Sequence, residues 1–466
     1  MEPHDTDFMT QLIEQVFAAA WNVLARRKRL IRSRTCLLIG YSVSGDGAAR
    51  QPVVIPFERR SGHIVIWGRT GSGKSRAMLH MAIQDIRADL GFVWIDHHGD
   101  SIPFLLQQVR SEERRRGVEL HDRVILIEPS DLIASVGLNL LEPTGQSNFV
   151  LIAEFAHILK QRWGLEHFGA RTEELLRNSL FVLAENQLTL IEITPLLTNA
   201  GYRERLLANT HNAEVRQYFE LRYGPVSDAM QAVMRDPILN KVSYISSDPA
   251  FRHIFGQQRS TINLVEAIDS GAWILLNLSK GKLGEQAQTL GSLFLTKFKS
   301  AIFRRRNRAL FTAYCDEIQN LIAFDEGFET LLSEARKFGI GIVTANQFLD
   351  QISPVMRAAM LAVQNHLAFR LSSADAEKIA TALNGDRNLS ALLRTLPQRH
   401  AVLQTGTDSA VQIEVPTVHA PQIAIGDLRD RIRQRWARPR AVIEREIQAR
   451  QPRMAQQVRE ELHDWE

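Results

Sequence analysis

The chain has 466 residues, 45% of them hydrophobic and 23% charged, with 56 basic side chains against 52 acidic ones. That length and balance argue against disorder over any long stretch and suit a large core domain carrying an insertion. A net charge of +4 does not mark a nucleic-acid binder, although a local basic groove is compatible with it.

The two cysteines, Cys36 and Cys315, fit no metal spacing, and a reducing, cytoplasmic setting is the simple expectation. No apolar run approaches the roughly 18 residues that a spanning helix needs. The longest, at 16–25, contains Asn22, and acidic residues precede it, so no integral membrane segment and no signal peptide are expected.

In chain order, residues 10–34 read as a basic amphipathic helix ending in Arg26-Arg27-Lys28-Arg29. It suits a solvated helix packed on the main domain, or contact with a membrane surface, DNA or a neighbouring subunit. Short strands are expected at 37–39 and 52–56. His63-Ile64-Val65-Ile66-Trp67 has the pattern of a buried strand and runs directly into Gly68-Arg69-Thr70-Gly71-Ser72-Gly73-Lys74-Ser75. A helix is predicted over 76–88, a strand at 92–96, a helix at 103–113 and a strand at 124–127. This alternation predicts an α/β fold with a mostly parallel sheet and crossover helices.

The strand rhythm stops near Gly145. Helical segments at 149–163, 173–185, 193–207, 214–223 and 226–246 predict an inserted all-α domain. Strands resume at 273–278, 310–315, 341–345 and 366–371, with a long helix at 285–304 and a closing hairpin at 400–404 and 411–415. The expected organisation is an N-terminal basic helix and strand over 1–50, a discontinuous α/β core over 51–145 and 268–420, the insertion over 146–267, and a charged helical, peripheral tail over 421–466.

Residues 68–75 match G-x-x-x-x-G-K-S without deviation. Glycines are required because the loop must wrap a phosphate with backbone N–H groups, which Gly68, Arg69, Thr70, Gly71, Ser72 and Gly73 would supply. Lys74 would bridge the β- and γ-phosphates and Ser75 would hold Mg²⁺, while the helix continuing through Arg76 adds a favourable dipole. The pattern arises by chance in roughly a few sequences per thousand. Here the required strand before and helix after are both expected, so ATP with Mg²⁺ is the predicted ligand.

Leu310 to Glu317 supplies an acidic strand end. Asp316 would bind Mg²⁺ through water and Glu317 would polarise the attacking water; a solvated Asp-Glu pair is the bland alternative. Cys315 reads as a small buried strand residue. Gln347 follows a strand end and is placed to sense the γ-phosphate. Arg336 stands at a helix end, where it either offsets the dipole or reaches an adjacent subunit as an arginine finger. Asp96-His97-His98-Gly99-Asp100 invites a metal reading, which fails because adjacent side chains diverge and no other cluster completes a shell. A loop at the mouth of the nucleotide site is the better reading.

Beyond the P-loop, a series of segments resembles the TraG/TraD-type ATPases, the coupling proteins of conjugation and type IV secretion, within the wider HerA/FtsK superfamily of DNA pumps. Ile95 to Asp100 is similar to the family's D-P-H-G-D strand end, with His97 where proline is usual. Gly137-Leu138-Asn139-Leu140-Leu141 resembles the stretch before the family's helical insertion, Phe168-Gly169-Ala170-Arg171 to Arg177-Asn178 the signature that opens it, and Phe255-Gly256-Gln257 its close. Leu276 to Gly284, Asp316-Glu317 with Asn320, Ser333 to Gly339, Asn346-Gln347, Asp375-Ala376 and Leu396-Pro397 follow in the family's order.

The resemblance covers residues 37–416. It implies a RecA-like core, a homo-hexameric ring with ATP sites between subunits, Arg336 acting in trans, and an insertion that faces DNA. DNA would be gripped through its phosphates rather than by sequence. Membrane-anchored coupling proteins begin with transmembrane helices and this chain shows none, so the expectation is a cytoplasmic motor. A membrane-channel, relaxosome or nuclease partner would recruit it to the inner membrane. The leading reading is an ATP-driven DNA translocase in conjugation, mobile-element transfer or DNA defence. The alternatives are an ATPase energising protein secretion through a type IV channel, or a nucleotide-gated assembly scaffold, against which the Asp316-Glu317 pair argues.

Overall fold

The computed structural model describes residues 36–43, 50–143, 147–163, 169–319 and 328–452. The basic helix read at 10–34 lies outside them, as do Phe168, Asn320 and the chain beyond residue 452.

Among the described residues the strands are β1 (Cys36–Ser42), β2 (Pro52–Pro56), β3 (Ile64–Trp67), β4 (Gly91–Asp96), β5 (Val124–Ile127), β6 (Ala134–Val136), β7 (Trp273–Asn277), β8 (Phe311–Asp316), β9 (Ile340–Asn346), β10 (Asn365–Ala368), β11 (His400–Thr405), β12 (Val411–Glu414) and β13 (Ala437–Pro439). All but β6 and β13 form one sheet, ordered β2-β1-β12-β11-β10-β3-β9-β8-β4-β7-β5. From β10 to β5 the neighbours are parallel. The predicted hairpin β11–β12 and the pair β1–β2 extend the sheet antiparallel.

The parallel strands β3, β4, β7 and β9 are buried along their whole length because helices cover both faces. Side chains alternate between the faces. Ile64, Ile66, Phe92 and Trp94 meet the helices Lys74–Ala88 and Ser101–Arg116. Val65, Trp67, Val93 and Ile95 join the opposite core, which contains residues of the helices Gln286–Ile302, Phe328–Glu334 and Pro354–Leu361.

Among the described residues of 148–269 the regular elements are all helical, and their apolar core is continuous with that second face. The predicted helix 193–207 is broken: Ile193–Thr198 stops before Asn199, whose extended backbone and side-chain oxygen, accepting the Tyr202 N–H at 2.8 Å, start a new helix at Ala200. The segments read as flanking the insertion meet in space. The Gly137 and Thr261 backbones bond at 3.0 Å, and Asn139 Nδ2 donates to the Gln258 carbonyl at 2.8 Å.

The C-terminal helices are not peripheral. Leu428 and Ile432 of Gly426–Trp436 and Ile443 and Ile447 of Arg440–Arg450 are buried, and between the two helices β13 pairs with β6. No helix among the described residues is long and apolar enough to cross a membrane.

Candidate functional site

Parallel order places the C-terminal ends of β3, β9, β8 and β4 side by side, so Trp67, Asn346, Asp316 and Asp96 lie along one edge. The loop of residues 68–73 leaves β3 there and turns into the helix that starts at Lys74. Gly73 has φ of 120°, a conformation that L side chains rarely adopt. A Cβ on Gly68 would lie 2.6 Å from Ser72 Oγ and 2.8 Å from Phe369 Cβ, so the loop closes only around glycine. The tip residues Arg69, Thr70 and Gly71 are exposed, as is Arg76, while Ser72 and Lys74 are buried.

Lys74 Nζ donates to the Gly68 carbonyl at 2.8 Å and to that of Arg69 at 3.2 Å, so its ammonium sits inside the loop. Burial lowers its pKa, and the charges of Asp316 and Glu317 oppose that shift. Ser75 Oγ donates to Asp316 Oδ2 at 2.6 Å. Burial raises the Asp316 pKa, against the Ser75 hydrogen bond and the Lys74 charge. Cys315, one residue earlier, is buried and its thiol is pushed up to about 12 by burial, which suits the packing role read for it.

Glu317 has a left-handed φ of 53°, held by its N–H donating to the Ala345 carbonyl of β9 at 3.0 Å. Its Oε1 accepts from Gln347 Nε2 at 2.8 Å, and Gln347 Oε1 accepts from Thr70 Oγ1 at 3.1 Å. The chain Thr70–Gln347–Glu317 thus joins the glycine loop to the acidic strand end. His98 Nε2 lies 3.6 Å from Glu317 Oε2, on the far side of that carboxylate.

The histidine pair diverges as its adjacency requires. Asp96 is a cap: its carboxylate accepts the backbone N–H groups of His98, Gly99, Ser101 and Ile102 at 2.9–3.2 Å and secures the start of the helix Ser101–Arg116. His97 is buried, neither ring nitrogen has a partner, and burial holds its pKa down at about 4, aided by Lys280.

Arg336 is not brought to this edge. It lies in the turn Ala335–Phe338, which precedes the N-terminal end of β9. At about 3.3 Å per residue, that strand separates it from its own chain's P-loop by roughly 20 Å. It is exposed there, and its charge helps lower the pKa of buried His63, after burial itself.

The P-loop residues fit a bound nucleotide and metal. The loop admits no Cβ at Gly68, the buried Ser72 hydroxyl has no partner, and the Ser75–Asp316 pair is a hard oxygen donor set of the kind Mg²⁺ takes. Beside Gly73 and Arg76 a cavity of about 620 Å³ opens toward residues 415–420. Two participants have no local sequence signal, Gln398 and Arg399, whereas His98 lies in the loop read at the mouth of the nucleotide site. The Gln398 side chain donates to the Gly71 carbonyl at 3.2 Å, and the Arg399 N–H to that of Ser72 at 3.0 Å.

No protein-family model and no curated protein matches the sequence. Among solved structures the chain is similar to plasmid coupling protein TrwB in complex with ADP and Mg²⁺, at 15% identity over 84% of this chain and 97% of that one, with a TM-score of 0.55. This chain has the fold of the conjugative coupling-protein ATPases. TrwB in complex with the non-hydrolysable ATP analogue ADPNP gives a TM-score of 0.54 at the same identity, over 84% of this chain and 96% of that one. VirB4 of Thermoanaerobacter pseudethanolicus is as similar to it as TrwB, at 14% identity over 82% of this chain and 97% of that one, TM-score 0.55. The RecA-like coupling-protein fold expected from the order of the motifs is the one found.

Proposed function

We propose that the chain is an ATPase of the TraG/TraD coupling type, which hydrolyses ATP with Mg²⁺ and moves DNA as a ring of six subunits. The observation that carries this reading is the joined constellation of Ser75, Asp316, Glu317, Gln347 and Thr70 at one sheet edge.

In this reading the backbone N–H groups of residues 68–73 and the Lys74 ammonium hold the phosphates, and Ser75 and Asp316 hold Mg²⁺. The metal supplies neutralisation of charge on the β- and γ-phosphates. Glu317 orients and polarises the attacking water, with Gln347 fixing its Oε1. Gln347, between Thr70 and Glu317, senses whether the γ-phosphate is present. Such a water-activating carboxylate favours turnover over a purely nucleotide-gated scaffold.

Arg336 cannot serve its own P-loop from the opposite end of β9, which favours its acting in trans on a neighbouring subunit. The insertion faces DNA, and exposed Arg171, Arg177 and Lys241 on its helices supply phosphate contacts. The cytoplasmic setting and recruitment to the inner membrane by a channel, relaxosome or nuclease partner belong to the same reading.

Subunit mixing tests it. Lys74→Ala and Arg336→Ala proteins are each expected to be inactive alone. Mixed, they form some interfaces with an intact P-loop facing an intact Arg336, and hydrolysis returns to a fraction of the wild-type rate. No recovery at any ratio, from proteins that assemble, contradicts the shared site.

A further inference from the structure

The turn at Gln398 and Arg399 touches the P-loop from outside. Arg399 has a left-handed φ of 67°, unusual for a residue with a side chain. Both of its backbone groups are engaged: its N–H donates to the Ser72 carbonyl at 3.0 Å, and its carbonyl accepts the Val415 N–H at 2.9 Å. Its Cα stands 3.5 Å from where a Cβ on Gly73 would lie. Arg399 is therefore fixed at the last glycine of the loop.

From there it lines the 620 Å³ cavity, whose wall also includes Gly73, Arg76, Phe104, Gln107 and Thr417. A nucleotide whose phosphates lie in the loop must send its ribose and base past Gly73 and Arg76, because the loop itself wraps only phosphate. The cavity is the space available to them.

The guanidinium has a counterion that it can leave. Nη2 lies 2.5 Å from Glu414 Oε1, and Nη1 donates to Thr417 Oγ1. Glu414 also binds Arg50, whose Nη1 lies 2.6 Å from Oε2. A half-buried carboxylate with one arginine would be stranded if that arginine moved, and stranding such a charge is costly. With two, it keeps one.

We propose that Arg399 is a nucleotide-contacting residue: with nucleotide bound, its guanidinium turns from Glu414 to the ribose in the cavity, while Arg50 retains Glu414. This rests on the P-loop reading above and adds the nucleoside end of the site to it. The backbone clamp on Ser72 does not depend on the side chain, so the two roles are separable by substitution.

The test is calorimetric binding of Mg·ADP and of Mg·pyrophosphate, which fills the loop but not the cavity, to the full chain. Arg399→Gln is expected to weaken ADP binding by roughly 10- to 100-fold, as for a lost charge-assisted contact, and to leave pyrophosphate within about twofold. Arg50→Ala is expected to weaken ADP as well, because Glu414 then holds Arg399 in place, and to add nothing in the Arg399→Gln background. Equal weakening of ADP and pyrophosphate means the side chain only braces the loop, and overturns the proposal. So does unchanged ADP affinity; in that case loss of both ligands in Lys74→Ala leaves the P-loop reading standing. A wild-type chain that binds neither ligand overturns both.

Discussion

Ser75 Oγ and Asp316 Oδ2 lie 2.6 Å apart although 241 residues separate them in the chain. One strand, β9, lies between β3, which runs into the P-loop, and β8, which carries Asp316, so this contact reports the order and register of these three strands. Asp316→Asn is expected to lower steady-state hydrolysis by at least about 100-fold and to blunt the dependence of nucleotide affinity on Mg²⁺. Glu317→Gln is expected to leave ATP binding within a few-fold and abolish turnover, because the amide cannot accept a proton from water. Single-turnover hydrolysis beside equilibrium ATP binding checks both; undiminished hydrolysis in Glu317→Gln contradicts the role given to it.

A buried ion pair ties the P-loop helix to the acidic strand. Arg60 donates to both oxygens of Asp85 at 2.6 and 2.7 Å and to Thr312 Oγ1 at 2.8 Å, and Tyr314 Oη donates to Asp85 at 2.7 Å. Both partners are essentially inaccessible. Arg60→Met alone strands Asp85 and is expected to cost about 3–5 kcal/mol in urea unfolding. Arg60→Met with Asp85→Leu is expected to recover most of that loss. A double variant no more stable than Arg60→Met alone would mean the pair itself stabilises the fold.

Three histidines, His63 and His97 buried and His80 half-buried, make stability depend on pH. Burial holds His63, His80 and His97 each at about 4 rather than the usual 6.5. His63 is neutral in the fold: Nδ1 accepts the Ile342 N–H at 3.1 Å, leaving Nε2 to donate to the Leu332 carbonyl at 2.7 Å. The unfolded chain therefore takes up these protons first as pH falls. Their contribution is complete above about 6.5 and is lost down to about 4, by at most roughly 3 kcal/mol per histidine. His63→Asn, which tolerates the left-handed φ of 64° at this position, should flatten the fall of the urea midpoint across that window. An unchanged slope would place the pH dependence elsewhere.

The C-terminal segment is a strap with charged rungs and apolar anchors. Arg429, Arg431, Arg433 and Arg435 pair with Glu128, Glu119, Asp131 and Asp122, and Arg450 reaches buried Glu192 in the helical region. Exposed pairs contribute little, so Arg435→Ala is expected to change stability by less than about 1 kcal/mol. Ile447→Ala, at a fully buried position, is expected to cost about 2–5 kcal/mol. Equal effects in thermal or urea unfolding would contradict this division.

Most of the site was legible because phosphate binding restricts the chain locally. Only glycine fits at 68 and 73, and strands covered on both faces announce themselves as unbroken apolar runs, as in Phe92 to Ile95. Strands of three residues such as β6 and β13 carry no period to read. Buried Ile443 and Ile447 sit in a run so charged that it reads as a solvated tail. Gln398 and Arg399 acquire their roles only through neighbours supplied by the fold. The position of Arg336 was available in principle, since a residue just before a parallel strand stands at the edge away from the ligand.

The most direct measurement is steady-state ATP hydrolysis by the purified protein, with and without double- and single-stranded DNA, at two salt concentrations. The account predicts Mg²⁺-dependent hydrolysis, stimulated by DNA and losing that stimulation as salt rises. Robust hydrolysis indifferent to DNA would contradict the translocase and point to a secretion ATPase, and no hydrolysis under any condition would contradict the catalytic assignment as a whole.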